Sequence, residues 1–301
     1  FFIGVNYFFS IKKNFDKIFI VWSVIILIVV FDVFIEKVFG SNILGYGFGA
    51  ERVVSFFKDE EIPGGFIYAF ALMLFGYYLL KLESYKINFK ILILILFFIV
   101  VASIIATGER SNSIRVILSF LFFLFLYDAL TFKKKIIIFF AFFFSISVLI
   151  LSDSFIKHRM FDSILYASSK FKSSFVHDDP HDIPGGNIYA KLYKSAYVVF
   201  KNYPLFGVGN KNYRIESCYN KKYKKKKYIH ITNNFLKNNY VCSTHPHQIY
   251  FELLAEHGLI GSLILLSLFF TLFFKMLKIT LISKNYIGLG CLSYLIVVFL
   301  K

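Results

Sequence analysis

Ile91-Leu92-Ile93-Leu94-Ile95-Leu96-Phe97-Phe98-Ile99-Val100-Val101-Ala102-Ser103-Ile104-Ile105-Ala106 carries no charge and only one hydroxyl group. A bilayer core takes roughly 17–25 predominantly apolar residues as a helix, so this run, extended slightly into its flanks, is long enough to cross one. A helix is the natural state for it, because a helix closes every backbone hydrogen bond within its own segment. Runs of the same kind recur at 18–35, 66–80, 114–130, 136–151, 259–274 and 287–300. The opening 1–11 reads as the end of an earlier span. The chain begins at Phe1 and ends inside an apolar run, so the expectation is an internal fragment with further spans on both sides.

The composition agrees. Of 301 residues, 57% are hydrophobic and 17% charged, with 41 Phe and 20 Tyr. Only 17 Gly and 5 Pro are present, which excludes collagen-like and low-complexity chains. The net charge of +16 does not call for nucleic acid. Lysine and arginine concentrate in the cytoplasmic loops of membrane proteins, and that accounts for a basic balance.

The lysines also orient the spans. Lys12, Lys13 and Lys17 precede the first span, and Lys81, Lys86 and Lys90 separate the second from the third. Lys133, Lys134 and Lys135 separate the fourth from the fifth, and Lys275, Lys278 and Lys284 the last two. Every second short connection is lysine-rich, as an up-and-down bundle requires, and these connections are expected on the cytoplasmic side. The outer connections are then 36–65, 107–113 and the long stretch 152–258. The predicted fold is all-α: a transmembrane bundle over 1–151, a long, partly helical outer loop over 152–258, and two C-terminal spans over 259–301.

Five of the 34 basic residues are arginines: Arg52, Arg110, Arg115, Arg159 and Arg214. All fall on the outer side or at its border. Arginine supplies a planar fork of donors that lysine lacks, so this asymmetry favours an anionic group handled at the outer face.

Within the long loop, 188–200 reads as an amphipathic helix. Tyr189, Tyr193, Ala196, Tyr197 and Phe200 share one face, and Lys191, Lys194 and Lys201 another. Such a helix suits the headgroup layer, or alternatively a small extramembrane core. The turn Asn202-Tyr203-Pro204-Leu205-Phe206-Gly207-Val208-Gly209 stops it. In a bacterial periplasm Cys218 and Cys242 could form a disulfide, worth about 3 kcal/mol in the chain-entropy model; two free thiols are the alternative. The cluster His177-Asp178-Asp179-Pro180-His181-Asp182 offers zinc or manganese ligand types, but Pro180 breaks any helical register. A solvated turn is expected there, and no metal or cofactor is invoked.

The stretch richest in chemistry is Cys242-Ser243-Thr244-His245-Pro246-His247-Gln248-Ile249-Tyr250-Phe251-Glu252-Leu253-Leu254-Ala255-Glu256-His257-Gly258-Leu259-Ile260-Gly261, where the loop re-enters the membrane. A helix continuing from His247 would run through Tyr250, Leu254 and Gly258. The stretch resembles the signature of the O-antigen ligase and Wzy-type polymerase superfamily: His, then Asn, Ser or Gln, nine residues, Gly, two residues, then Gly or a similar residue. His247-Gln248, Gly258 and Gly261 satisfy it. Pro204-Leu205-Phe206-Gly207-Val208-Gly209, followed by Tyr213-Arg214, resembles the family's turn. Thr107-Gly108-Glu109-Arg110-Ser111 resembles its arginine-bearing outer turn, and Arg52 with Phe56, Asp59, Glu60 and Gly64 another. Gln248 stands where Asn is frequent, and Tyr193 replaces the usual tryptophan of the loop helix.

The resemblance implies a GT-C-like enzyme of the bacterial inner membrane. It would move a glycan from a polyprenyl-diphosphate carrier to an acceptor at the periplasmic face, without a required metal. His247 would be the general base, and Arg110 with Arg214 would hold the diphosphate. Arg52, Arg159, His245 and Gln248 would assist in substrate binding, and Gly207, Gly209, Gly258 and Gly261 would shape the motif. The acceptor would be lipid A-core in a ligase or a second lipid-linked glycan in a polymerase; protein O-oligosaccharyltransferase is a third member. Membrane lipids, but no nucleic acid, are the other expected partners. A non-catalytic transporter of the lipid-linked sugar is the alternative from another class. It would place ionisable residues at mid-membrane depth, whereas the spans here are nearly uncharged, with Asp32 and Asp128 close to their ends.

Overall fold

The structure, a computed structural model, describes residues 12–47, 52–58, 60–81, 87–162, 188–219 and 243–300. Among the described residues every regular element is helical, so the all-α expectation holds. In chain order these are α1 (Lys12–Phe39), α2 (Pro63–Lys81), α3 (Ile87–Ala106), α4 (Arg110–Leu126), α5 (Phe132–Ser152), α6 (Ser154–Lys157), α7 (Ile188–Asn202), α8 (Tyr213–Tyr219), α9 (Ile249–Ile282) and α10 (Tyr286–Phe299). Among the described residues four stretches are long and apolar enough to cross a membrane: Phe15–Phe39, Pro63–Lys81, Phe132–Ser152 and Ile249–Ile282. The apolar parts of α3 and α10, Ile91–Ala106 and Tyr286–Phe299, are shorter. The protein is a multi-pass membrane protein.

The chain divides into two compact units, Phe1–Phe161 with Lys275–Leu300, and Asp162–Phe274. The first division falls beyond the expected 151/152. Asp153 caps α6 by accepting from the Ile156 amide at 3.0 Å, and Lys37 of α1 pairs with Asp153 at 2.9 Å. Ile156 and Met160 are buried in the bundle core, so this segment belongs to the first unit. The second division falls inside α9 rather than at 258/259.

In the first unit α2 packs against α1, α3, α4 and α10. Two glycines let α2 and α10 approach backbone to backbone: a Cβ at Gly76 would collide with the Tyr286 carbonyl, and one at Gly290 with the Leu72 carbonyl. Small residues at the contact are the membrane solution to close packing, since lipid supplies no hydrophobic push between helices. Phenylalanines fill the remaining space, with Phe75 4.3 Å from Phe97 and Phe120 4.4 Å from Phe142, ring centre to ring centre. On α5 only Phe142 and Ile146 are fully buried, with Ile138, Leu149 and Ile150 partly packed against the core; most of its other apolar side chains are exposed.

One end of this unit gathers lysine-bearing connections. Lys81 at the end of α2 pairs with Asp16 near the start of α1 at 2.7 Å. Asp128, after α4, accepts from the Tyr286 hydroxyl at 3.0 Å and lies 3.6 Å from the Lys284 ammonium. The fourth span ends at Leu126 rather than at 130. Tyr127 makes the last helical bond, to Phe123, and Lys135 returns to donate to the Phe125 carbonyl at 2.7 Å.

The opposite end is organised by buried carboxylates. Asp32 and Glu36, one turn apart on α1, are 0% and 5% exposed. Asp32 accepts from the Ser55 hydroxyl at 2.6 Å and the Ile43 amide at 3.0 Å. Glu36 accepts from the Val54 amide at 2.9 Å and the Ser55 amide at 2.6 Å. Asn42 completes the set by donating to the Ser55 carbonyl at 2.6 Å. These charges serve as anchors for the connection to α2, with every acceptor occupied by a nearby donor.

Glu109 plays the same part for α2, which starts at Pro63, a favoured first helical residue. Its carboxylate accepts from the amides of Gly64 at 2.6 Å and Gly65 at 3.1 Å and from the Asn112 side chain at 2.5 Å. Burial pushes its carboxyl above the ordinary range, while those donors and the Arg52 charge pull it back. Glu109→Ala should cost about 2–3 kcal/mol by orphaning the amides that begin α2, and Glu109→Gln, with one acceptor oxygen, less. Thermal unfolding in detergent reads both, and an unchanged melting temperature in Glu109→Ala would contradict the capping role.

Candidate active site

In the second unit, α9 is not one straight helix. Gly258 has φ 63° and ψ −169°, a conformation essentially confined to glycine. The break strands the carbonyls of Ala255 and Glu256 and the amides of Leu259 and Ile260, which would otherwise pair with one another. The turn that follows α7 replaces them two for two. Val208 donates to Ala255 at 3.0 Å and Gly209 to Glu256 at 2.7 Å, while Leu259 donates to Pro204 at 2.7 Å and Ile260 to Leu205 at 3.1 Å. The Pro204–Gly209 turn and the glycine end of the signature are thus two halves of one interlock. Gly207, at φ 66°, lies so close to the Glu256 carbonyl that a Cβ would collide with it, and Gly258 stands in the same relation to Leu205. Gly209 has φ 94°, and a Cβ at Gly261 would meet the His257 Cβ at 2.8 Å. A straight helical continuation through Gly258 is therefore corrected: the glycine is where the helix breaks.

The upstream end of α9 carries the histidines. His247 is not helical; its φ of 58° places it in the left-handed region immediately before the helix. Gln248 caps the helix, its Oε1 accepting from the Phe251 amide at 2.9 Å. This is the work that Asn does as an N-cap, which gives a physical reason for the amide or hydroxyl required after the signature histidine. His247 and His245 are both exposed, with ring centres 4.1 Å apart. His245 Nδ1 lies 3.0 Å from the Thr244 hydroxyl. Pro246 between them is buried.

Arg214 is the second residue of α8, which is tied to this segment at both ends. The Tyr213 amide donates to the buried Glu256 carboxylate at 3.3 Å. Ser217 donates to the Ser243 carbonyl at 3.4 Å, and Ser243 in turn to the His245 carbonyl at 2.8 Å. Cys218 is disulfide-bonded, whereas Cys291 is a free thiol. The expected partner, Cys242, lies outside the described residues, as does the 177–182 cluster. A small core of Ala196, Val199, Tyr213 and Ala255, with Val208 and Phe251 against it, supports the site. Burial pushes the Tyr213 phenol far above its ordinary range, helped by the nearby Glu252 charge and partly offset by Ser217. On α7 the buried stripe is Leu192, Ser195, Ala196 and Val199, while Tyr197 is exposed. The buried stripe shares Ala196 with the expected tyrosine face but otherwise runs through its neighbours. Tyr193 stacks on Phe251 at 5.3 Å.

The remaining candidate arginines lie in the first unit. The turn 107–109, with Gly108 at φ 77°, makes Arg110 the first residue of α4. Among the described residues no carboxylate pairs with Arg110 or with Arg214. Arg52 is different: its guanidinium is ion-paired with Glu61, with Nε 2.5 Å from the carboxylate. Its stem packs by Gly108, where a Cβ would meet it at 3.6 Å, so the two arginine-bearing turns are neighbours. Arg159 sits half-buried in the π-turn His158–Asp162. Sequence reading missed the carboxylates Asp32, Glu36, Glu109 and Glu256 as site builders. Their signal is a buried-type acid within or beside an apolar run, which has to be held by donors.

The helices of the first unit and the apolar stretch of α9 make this a multi-pass helical membrane protein, and the second unit links the His247 segment to the helix that carries Arg214. The O-antigen ligase family (Wzy_C) matches residues 94–266, and the chain belongs to that family. Its function is therefore of the ligase or polymerase type in lipopolysaccharide biosynthesis, a glycosyltransferase-like activity on lipid-linked sugars. No curated protein and no solved structure matches the chain.

Proposed function

We propose that the protein transfers a glycan from a polyprenyl-diphosphate carrier to lipid A-core at the periplasmic face of the inner membrane. The observation that carries this reading is the fixed pairing of the His247 segment with the Arg214 helix through Glu256, Ser217 and Ser243. A sugar hydroxyl is a poor nucleophile until a base takes its proton, and an exposed imidazole is suited to that role near neutral pH. As His247 accepts the proton, the acceptor oxygen bonds to the anomeric carbon and the bond from that carbon to the diphosphate breaks. The departing diphosphate gains charge, which the guanidinium forks of Arg214 and Arg110 neutralise. Arg52, already neutralised by Glu61, and Arg159 are secondary contacts, and His245 is a flanking one. Gln248 contributes through the helix cap. No metal is assigned.

Joining of repeat units on the same carrier uses the same chemistry and differs only in acceptor. The deciding experiment incubates the purified protein with lipid-linked glycan and either lipid A-core or a second lipid-linked unit. Extension of lipid A-core is expected; extension of the lipid-linked unit alone would make the protein a polymerase. Orientation is tested separately by cysteine accessibility in intact cells: position 220 should label from outside and position 134 should not. The reverse pattern would overturn the periplasmic assignment.

A further inference from the structure

We infer that Glu256 is a positioning residue for Arg214, coupling the signature helix to the diphosphate-binding cation; this rests on the role proposed for Arg214. Glu256 is 5% exposed, yet its carboxylate has no cationic partner among the described residues. It accepts from the Tyr213 amide, the residue immediately before Arg214. Its own backbone carbonyl accepts from Gly209, at the other end of the short loop that leads into α8. Within that loop Asn212 bonds back to Gly209 at 3.1 Å through its amide and to the Val208 carbonyl at 3.0 Å through its side chain. One residue therefore holds both ends of the segment 209–213 and sets where α8 begins. Since α8 has only seven residues, its start determines where Arg214 stands. Ala255, next to Glu256 on α9, shares a small buried core with Tyr213, so the side chain and the amide of Tyr213 are both referred to α9. The geometry gives the acidic residue two before Gly258 a task distinct from that of the interlock: it registers the cation against the helix headed by His247.

A double-mutant cycle tests this in the full-length protein. Glu256→Ala leaves the backbone carbonyl, and hence the Gly209 bond, in place, but frees the start of α8. Misplacing a binding group by about 1 Å can cost on the order of 10²-fold, so kcat/KM should fall roughly 10–10²-fold, mainly through a higher KM for the lipid-linked donor. KM for the acceptor should hold. Glu256→Gln keeps an acceptor oxygen for the Tyr213 amide and should recover activity to within about threefold of the parent. In an Arg214→Ala background, adding Glu256→Ala should change kcat/KM by less than about twofold, because residues acting as one unit are not additive. Additive losses, or a Gln variant as impaired as the Ala variant, would overturn the inference while leaving Arg214 in its role. Full activity of Arg214→Ala would instead overturn the role of Arg214 itself, and the inference with it. Gln and Ala variants with equal melting temperatures but different donor KM separate positioning from simple loss of stability.

Discussion

Replacing His247 by alanine should leave donor binding nearly intact and slow transfer by roughly 10²–10⁴-fold, the usual contribution of a general base. The backbone complicates this variant, because His247 lies at φ 58° and alanine is strained there by about 1–2 kcal/mol. His247→Asn is the better companion, since asparagine tolerates the left-handed region but cannot take the proton. Both should be equally slow if the imidazole is what matters. His245→Ala should cost much less, despite its ring lying 4.1 Å away. Arg110→Lys keeps the charge and loses the fork, so binding and turnover should fall together. Activity should persist in EDTA. Full activity in His247→Ala with none in His245→Ala would shift the base by two residues, and full activity in both would remove base catalysis by this segment.

The second large effect is expected at Gly258. An alanine there has to hold φ 63° and ψ −169°, and its Cβ would strike the Leu205 carbonyl, which is backbone and has no rotamer to yield. Strain of about 1–3 kcal/mol adds to the loss of the interlock bonds, each costing about 1–3 kcal/mol if left unmade in a buried site. Gly258→Ala should therefore melt well below the parent and lose transfer activity, and Gly207→Ala should behave alike because it faces the Glu256 carbonyl. Gly45→Ala is the control, since that residue also has positive φ but nothing within 4 Å of a Cβ. It should cost only about 1–2 kcal/mol of backbone strain. Equal melting temperatures for Gly258→Ala and Gly45→Ala would mean that close approach of the two backbones is not what the glycine serves.

Much of the bundle is legible in the sequence because a membrane helix declares itself through length and apolarity. Span ends are less legible. The fourth stops at Leu126 because Lys135 and Asp128 draw the chain into a turn, and that depends on residues far along the sequence. The motif residues could be quoted in order, but not what each does. Gly258 in a helical pattern looks like a packing residue until its φ is known, and Gln248 looks like a substrate contact until its oxygen is found on the Phe251 amide. Asp32 and Glu36 read as mere span-end charges; their donors come from a loop with no periodicity of its own.

The backbone bond from Leu259 to Pro204 has a consequence for chain length. It closes a ring of sequence whose ends are fixed by hydrogen bonds rather than by what lies between. The free energy of ring closure rises only logarithmically, by about 0.6 kcal/mol for each doubling. The length of sequence between Pro204 and Leu259 thus enters the stability of the clasp only weakly, and the four backbone bonds themselves set the register of the two segments they join.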